Sequence, residues 1–563
     1  MAMVYGGDLV ARALVNEGVD KAFTLCGGHI MPIFYGLRDA GVEIIDVRHE
    51  ASAVHAAMAC TRATGKVAVA MATAGPGVAN TTTAMLDAEV LRMPVVLIGG
   101  AVASDTIDGG DLQDAPTLRL MQSICKWARK VGSIERIPEY VAMALRHAQD
   151  SSPGPVYLEI PTDLLLDKID DETVKFPTAS RATSSPAGDP ELIEEAARLL
   201  ATAERPAILV DEGARWSLDE DAQAVTELSD FLKMPVGMAG SSCRGQFGNE
   251  YENLLLNINM SRKADVLLTI GCRFDYRIGR GEGIPPDAKV IQVHTDPHQI
   301  GFNLRADIGL VGGAGNIARQ ILERLKTFHN PKTGDSWLGP LRERTAAMMP
   351  PVYHETKTPT HPARCAGEVA RFLEEFQDWN IVVDGGENAV WMAGVVTVSR
   401  PDQYHTHSSG ANGNIGTGPG TVIGAWAANR KPTLMFTGDG SFGFYSMELE
   451  TMARFGIPAV IVIANNSGWA MIGMTENFIR PDDIARDGQC NTTLPHMVSY
   501  EKMVEIWGGY GELVTDPDEI LPAIRRAAAN GKPSIVNVEV DDVSLSPFIA
   551  NYADILTPEK SHQ

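Results

Sequence analysis

Long apolar runs are missing from this sequence: nowhere do about eighteen apolar residues follow one another, so no membrane-spanning helix is expected. The first residues carry neither a basic n-region nor an extended apolar h-region, and a secretory signal is not expected either. Cysteine is scarce. Its seven copies, Cys26, Cys60, Cys125, Cys243, Cys272, Cys365 and Cys490, are scattered and odd in number, with no C-x-x-C pair. That argues against a disulfide framework or a zinc site and for buried thiols. Positive charge is also in deficit, 48 Lys and Arg against 71 Asp and Glu, for a formal net charge of −23. The imbalance opposes binding to nucleic acid and leaves no polybasic patch for a membrane surface. A cytoplasmic protein without nucleic-acid or membrane partners is the expectation. At 563 residues the chain exceeds what one core organises, and about three domains are expected.

What is present is alternation. Up to about Asp167, short apolar strands such as Val67-Ala68-Val69-Ala70-Met71 and Val95-Val96-Leu97-Ile98 alternate with helical stretches, the pattern of an α/β domain. Residues 178–190, rich in Ser, Ala and Pro, read as a linker. A second block holds Ala207-Ile208-Leu209-Val210, Val266-Leu267-Leu268-Thr269-Ile270 and Val290-Ile291-Gln292-Val293. An irregular segment, 333–362, leads to a third block with Ile381-Val382-Val383 and Ser534-Ile535-Val536-Asn537-Val538. The first and third blocks have similar sizes, as related sheets would.

One stretch of the third block is chemically specific. "TGDGSFGF", residues 437–444, follows Thr433-Leu434-Met435-Phe436 and sets Asp439 between Gly438 and Gly440. A strand ending in a glycine turn brings bare backbone N–H groups and one acid to the C-terminal edge of a sheet, where open α/β sheets bind ligands. That suits a metal carrying a phosphate. Apolar residues at helical spacing over 446–452 predict a helix, stopped by Gly456-Ile457-Pro458. The next strand, 459–464, runs into Asn465-Asn466-Ser467-Gly468. One strand-helix-strand unit therefore returns Asn466 to the edge that holds Asp439. A carboxylate, an amide oxygen and a backbone carbonyl, here at Gly468, are hard oxygen ligands that suit Mg²⁺. For Gly-Asp-Gly taken alone, a plain sheet-edge turn is the alternative.

With this Gly-Asp-Gly, the double Asn at the next strand end, and an early Arg48-His49-Glu50 after a strand, the chain resembles thiamine diphosphate enzymes of the acetolactate synthase superfamily over essentially its whole length. The resemblance implies an α/β fold of three doubly wound parallel-sheet domains. Residues 1–177 would bind the pyrimidine, 190–332 would form a central nucleotide-binding-like domain, and 360–545 would bind the diphosphate and Mg²⁺. A tail, 546–563, follows. Within the superfamily, "MAMVYGGDLVARAL", the His of "CGGHI" (His29), the Gln of "DLQDA" (Gln113) and the Trp of "NNSGW" (Trp469) are similar to benzaldehyde lyase. "GCRFDYRIGRGEGIPPDAKVIQV" and "GDGSFGFYSMELET" instead look like 2-hydroxyacyl-CoA lyases.

By that resemblance, thiamine diphosphate with Mg²⁺ is the catalyst, and the protein positions it and tunes its protons. Glu50 would hydrogen-bond the pyrimidine ring nitrogen and favour the imino tautomer that removes the thiazolium C2 proton, through a charge-assisted bond. Ile415, in "GANGNIGTGPG", matches the bulky residue that props the bent cofactor, and the Gly413 carbonyl would accept from its amino group. His29 and Gln113 match the polar pair that moves protons at the substrate hydroxyl, histidine being the side chain that changes charge near neutral pH. Gly75-Pro76-Gly77 is expected to form the tight turn that lets backbone approach the pyrimidine. Asn388, Ser409, Gly438, Gly440, Ser441 and Trp469 are expected to contact the cofactor, with Asp439, Asn466 and Gly468 on the metal.

The implied reaction is carbon–carbon lyase or carboligase chemistry on 2-hydroxy ketones or 2-hydroxyacyl-CoA thioesters through an enamine, with an aldehyde, ketol or acyl-CoA as substrate. Acetolactate synthesis from pyruvate is the alternative. Thr162 in "PTDLL" and Ala389 in "GENAVW" stand where benzaldehyde lyase places large aromatic side chains, so a wider pocket is expected. The central block has no clear G-x-G-x-x-G fingerprint, and "GRGEG" at 279–283 reads as a loop; FAD or ADP there is an open alternative. Ser544-Leu545-Ser546-Pro547-Phe548-Ile549 and Tyr552 form a candidate lid. Because such enzymes build each site from the first domain of one subunit and the third of another, a homodimer is the minimum expected assembly and a homotetramer fits as well.

Overall fold

The computed structural model describes residues 2–178, 181–182, 184–218, 222–240, 243–247, 260, 262–347, 351–407, 410–544 and 546. Three parallel α/β sheets organise them. In the first, β1 (Lys21–Thr24), β2 (Glu43–Asp46), β3 (Ala68–Ala72), β4 (Val95–Ala101), β5 (Trp127–Lys130) and β6 (Val156–Pro161) line up in the order β2-β1-β3-β4-β6-β5. Every residue of β3, β4 and β6 is buried, as expected where helices cover both faces of a parallel sheet. The helices that matter below are α1 (Glu50–Thr64), α2 (Pro76–Asn80) and α3 (Thr82–Val90). α1 and α2 each follow a strand's C-terminal end, and α3 follows α2 after Thr81.

The central sheet has five strands: β7 (Pro206–Val210), β8 (Val236–Met238), β9 (Val266–Ile270), β10 (Lys289–His294) and β11 (Ile308–Val311), in the order β8-β7-β9-β10-β11. A short helix, α4 (Glu212–Leu218), leaves the end of β7.

The third sheet contains β12 (Asn380–Val383), β13 (Tyr404–His405), β14 (Thr433–Gly438), β15 (Ala459–Asn465), β16 (Tyr510–Val514) and β17 (Ser534–Glu539). Its order is β13-β12-β14-β15-β17-β16, the order of the first sheet strand for strand. Around it run α5 (Gly386–Ala393), α6 (Gly418–Asn429), α7 (Asp439–Phe442), α8 (Glu448–Arg454) and α9 (Ala470–Ile479). The helix expected over 446–452 begins at Glu448, because the chain after Asp439 first makes its own short turn; it ends before Gly456, which has φ +64°.

The chain divides into two compact units. One takes in residues up to Thr345 together with Gly410–Asn412, and so joins the first two sheets; the other takes in the remaining described residues from Ala346 onward. Among the described residues, no helix is long and apolar enough to cross a membrane.

Candidate active site

In the N-terminal unit the candidate side chains collect at the C-terminal edge of the first sheet. β1 ends in a loop and a single 3-10 turn, Gly28–Ile30, that carries His29. Its Nδ1 lies 3.3 Å from the Thr73 hydroxyl, and that hydroxyl donates to Gln113 Oε1 at 3.4 Å. A hydroxyl has one hydrogen to give. With the Gln113 amide so oriented, Thr73 accepts from His29 Nδ1 in the tautomer that carries its proton there, and in that tautomer Nε2 is an acceptor. Thr73 is the first residue after β3 and was not singled out by any sequence motif.

Gln113 is held in a left-handed backbone conformation, φ +67°, a strained state for a residue with a side chain and one that clusters at functional sites. Gly75 lies against it, with φ +58°; a Cβ there would sit 2.8 Å from the Gln113 carbonyl oxygen. Gly75 thus permits both the turn and the close approach of the Gln113 loop.

Glu50 begins α1, whose N-cap is His49: the His49 imidazole Nδ1 accepts from the Ala51 N–H at 3.1 Å. Burial holds the His49 ring below the usual histidine range, with Glu50 opposing the shift. An acid in the first turn of a helix is favoured by the helix dipole. Glu50 is not a surface carboxylate: it is buried, its Oε2 accepts from Asn80 Nδ2 at 3.0 Å, and its Oε1 faces Gly77. Asn80 closes α2 and was likewise not legible as a site residue. Thr162 opens the short helix after β6 and is half-buried.

In the second unit, β14 and β15 bring Asp439 and Asn466 to one edge. Gly468 N–H donates to Asp439 Oδ2 at 3.1 Å. The amide head of Asn466 reaches both Asp439 Oδ1 and the Gly468 carbonyl. With nitrogen turned inward it donates to them at 3.1 and 3.0 Å; with oxygen turned inward, three oxygens converge on one point. The second arrangement is the ligand set of a hard cation. Burial pushes Asp439 up to about 6, against backbone N–H groups that pull it down. A bound cation would relieve that burial penalty, so the residues present fit Mg²⁺.

Small and polar groups surround this point. A Cβ on Gly438 would lie 2.9 Å from Asn388 Nδ2, and one on Gly385, at φ +93°, would lie 2.9 Å from Ser441 Oγ. Asn388, Ser441 and two glycines thus form a cradle that any larger residue would fill, as a diphosphate site needs. Trp469 packs its ring over Gly440, and its backbone N–H donates to the Thr492 carbonyl at 2.7 Å. Asp384, wholly buried at the end of β12, accepts from the N–H groups of Gly385, Gly416 and Gly418 at 2.8–3.1 Å. It fixes the stretch that contains half-buried Ile415 beside Gly413, which has φ +63°. Next to Asn388, burial pushes Glu387 up to about 7, with Ser546 opposing the shift. Ala389 is half-buried against the core of this unit. Ser409, and Leu545 with Pro547, Phe548, Ile549 and Tyr552 of the candidate lid, lie outside the described residues.

The central sheet offers a different edge at its switch point between β7 and β9. There the Gly213 N–H donates to the Gly271 carbonyl at 3.1 Å and the Ala214 N–H to the Asp211 carbonyl at 2.8 Å, while the carboxylates of Asp211 and Glu212 are buried beside them. Asp211 is there paired with Arg277 at 3.1 Å. Residues 241–242, 248–259 and 261 of this domain lie outside the described residues.

Comparison with known proteins agrees with this division. Residues 4–120 match the family model described as thiamine pyrophosphate enzyme, N-terminal TPP binding domain; 193–321 match its central domain and 384–538 its C-terminal TPP binding domain. A probable acetolactate synthase large subunit of Methanocaldococcus jannaschii is 30% identical over 570 residues, covering 97% of this chain and 93% of that protein. A 2-hydroxyacyl-CoA lyase 2 of Danio rerio is 29% identical, covering 95% and 91%. The acetolactate synthase isozyme 2 large subunit of Escherichia coli is 28% identical, covering 96% of each.

Proposed function

The chain belongs to the thiamine pyrophosphate enzyme family, and on that footing we propose that it is a Mg²⁺-dependent carbon–carbon lyase and carboligase. Its substrates in this reading are 2-hydroxy ketones or 2-hydroxyacyl-CoA thioesters. Thiamine diphosphate, when bound, supplies the carbon nucleophile and the electron sink for breaking and making a bond next to a carbonyl.

The observation that carries the reading is the line His29, Thr73, Gln113 on the same edge as Glu50. Cleaving a 2-hydroxy ketone requires the hydroxyl proton to leave as the carbon–carbon bond breaks. Nε2 of His29, an acceptor when Nδ1 carries the ring proton, is a base for that proton, and Gln113 is a neutral partner that orients the hydroxyl or a water. Decarboxylation of pyruvate breaks its bond by losing carbon dioxide and has no hydroxyl proton to remove at that step. Glu50 would hold the pyrimidine ring nitrogen, with Asn80 keeping the second carboxylate oxygen in place. Asp439, Asn466 and Gly468 would hold Mg²⁺, while Asn388, Ser441 and the backbone at Gly438 and Gly440 would bind the diphosphate. Gly413 would accept from the pyrimidine amino group and Ile415 would support the bent cofactor. Thr162 and Ala389 would leave room for an acyl group bulkier than a planar ring permits.

Acetolactate synthesis is the second reading, favoured by the 30% identical archaeal relative. We further propose that the Glu50 edge of one copy works with the Asp439 edge of another, so that the working unit is a homodimer or a tetramer of two such dimers.

Product analysis decides between the readings. Purified protein with thiamine diphosphate and Mg²⁺ is offered benzoin, 2-hydroxyisobutyryl-CoA and pyruvate in parallel. The lyase reading expects an aldehyde or ketone from one of the first two without consumption of pyruvate. Acetolactate from pyruvate, with the other two untouched, would overturn it.

A further inference from the structure

Strand β17 runs Ser534-Ile535-Val536-Asn537-Val538-Glu539, and one of its residues does not suit its place. Asn537 is wholly buried between β15 and β16, next to Val536 and Val538, where an apolar side chain is the ordinary choice. Its amide is engaged at both ends. Nδ2 donates to Glu501 Oε2 at 2.8 Å and to the Val498 carbonyl at 3.0 Å, and Oδ1 accepts from Asn465 Nδ2 at 3.1 Å. Glu501 lies on the 3-10 turn Tyr500–Met503, and Asn465 closes β15; both are buried.

This line of side chains ends at the turn that carries Asn466 and Gly468. Asn465 Oδ1 accepts from the Ser467 N–H at 3.0 Å. Ser467 stands between Asn466 and Gly468, the two residues that contact Asp439, and has a left-handed backbone, φ +58°. For a residue with a side chain that conformation persists only where its surroundings impose it. The Leu494 N–H, which donates to the Ser467 carbonyl at 2.7 Å, and the Met497 N–H, which donates to its hydroxyl at 2.9 Å, hold the turn from the other side.

Backbone groups settle both amide orientations: an N–H faces the oxygen of Asn465, and a carbonyl faces the nitrogen of Asn537. A buried polar network of this kind is costly unless its members satisfy one another, and apolar side chains would meet the needs of packing alone.

We propose that Asn537, held by Glu501, is a positioning residue for the metal: through Asn465 it sets the Ser467 turn, so that the Asn466 side chain and the Gly468 carbonyl stand where they can share a cation with Asp439. Partners behind the ligands of a metal orient those ligands without touching it. The proposal rests on the reading of Asp439, Asn466 and Gly468 as Mg²⁺ ligands. It gives the two members of the Asn465-Asn466 pair different tasks, the second to hold the ion and the first to hold the turn.

The test uses the full-length protein and follows thiamine diphosphate bound per chain by equilibrium dialysis as Mg²⁺ is titrated. The Mg²⁺ concentration at half loading is the readout, and the denaturant midpoint of the cofactor-free protein is measured beside it. Asn537→Val replaces the amide by an apolar side chain that suits a central strand, and half loading is expected to need about tenfold more Mg²⁺. Glu501→Ala leaves β17 untouched and frees one end of the Asn537 amide; a rise of about threefold is expected, and this variant carries the test if Asn537→Val does not fold. Glu501→Gln keeps an acceptor for Asn537 and is expected to stay within about twofold of wild type. A lowered denaturant midpoint with half loading unchanged in both Asn537→Val and Glu501→Ala would overturn the proposal and leave the network a matter of stability. A wild-type protein that loads thiamine diphosphate equally well without Mg²⁺ would overturn the metal reading on which the proposal rests.

Discussion

The first and third sheets share one strand order and carry opposite chemistry. Counting strands within each sheet, both run 2-1-3-4-6-5, all parallel. After strand three, the first sheet places Thr73 and the Gly75 turn, and the third places Asp439 between glycines. After strand four, the first sends out the loop of Gln113, and the third sends out Asn466. After strand two come Glu50 in one and the Gly413–Ile415 stretch in the other. The first edge is a line of side-chain donors and acceptors, His29, Thr73 and Gln113, with one acid, Glu50. The third gathers the Asn466 amide head and the Gly468 carbonyl around a buried carboxylate that burial raises to about 6, the condition a cation relieves. The comparison teaches that the fold supplies an edge and the turn residues decide its use.

The largest expected effect falls on the third edge. Asp439→Ala is expected to abolish Mg²⁺-dependent binding of thiamine diphosphate, read by calorimetry, while circular dichroism shows the fold intact; undiminished binding would mean that the oxygens at this edge hold nothing. On the first edge the expectation is reversed. Glu50→Gln is expected to bind the cofactor within a few-fold of wild type but to slow exchange of its C2 proton, followed by NMR, by about a hundredfold or more. If Glu50→Gln instead loses binding as Asp439→Ala does, the two edges do not divide the work as described. Thr73→Val removes only the hydroxyl between His29 and Gln113, and lyase turnover is expected to fall about tenfold with cofactor affinity unchanged. A fall in affinity with turnover intact would place Thr73 in binding rather than proton transfer.

The smallest effect concerns the central sheet, which in this account holds the fold and carries no step. Burial, with Arg92 nearby, pushes His294 down to about 4. The native state therefore binds fewer protons than the unfolded chain between pH 6.5 and 4, so stability present above that window is lost as pH falls through it. The loss is roughly 3 kcal/mol at most. Denaturant unfolding across this range is expected to show the decline in wild type and a shallower one in His294→Gln. Equal slopes would remove His294 from the explanation.

Much of this was legible in the sequence because parallel sheets obey strong rules. An apolar strand, a helix and a second strand fix that Asp439 and Asn466 share an edge, whatever packs around them. Arg48-His49-Glu50 after a strand placed Glu50 at a helix start in the same way. Thr73, Asn80 and Asp384 escaped notice because a lone polar residue at a strand or helix end looks like ordinary turn chemistry; only the converging side chains reveal its partner. The strained backbone of Gln113 has no sequence signature, since strain depends on the neighbour, here Gly75.

The most direct test of the account mixes the two inactive variants. If each working site combines the Glu50 edge of one copy with the Asp439 edge of another, a hybrid of Glu50→Gln and Asp439→Ala chains contains one intact site. Unfolding and refolding an equal mixture should then restore about a quarter of wild-type activity, half of the dimers being hybrid and each having one good site of two. No recovery, with hybrids shown to be present by native mass spectrometry, would contradict the claim that the two edges complete one another across copies.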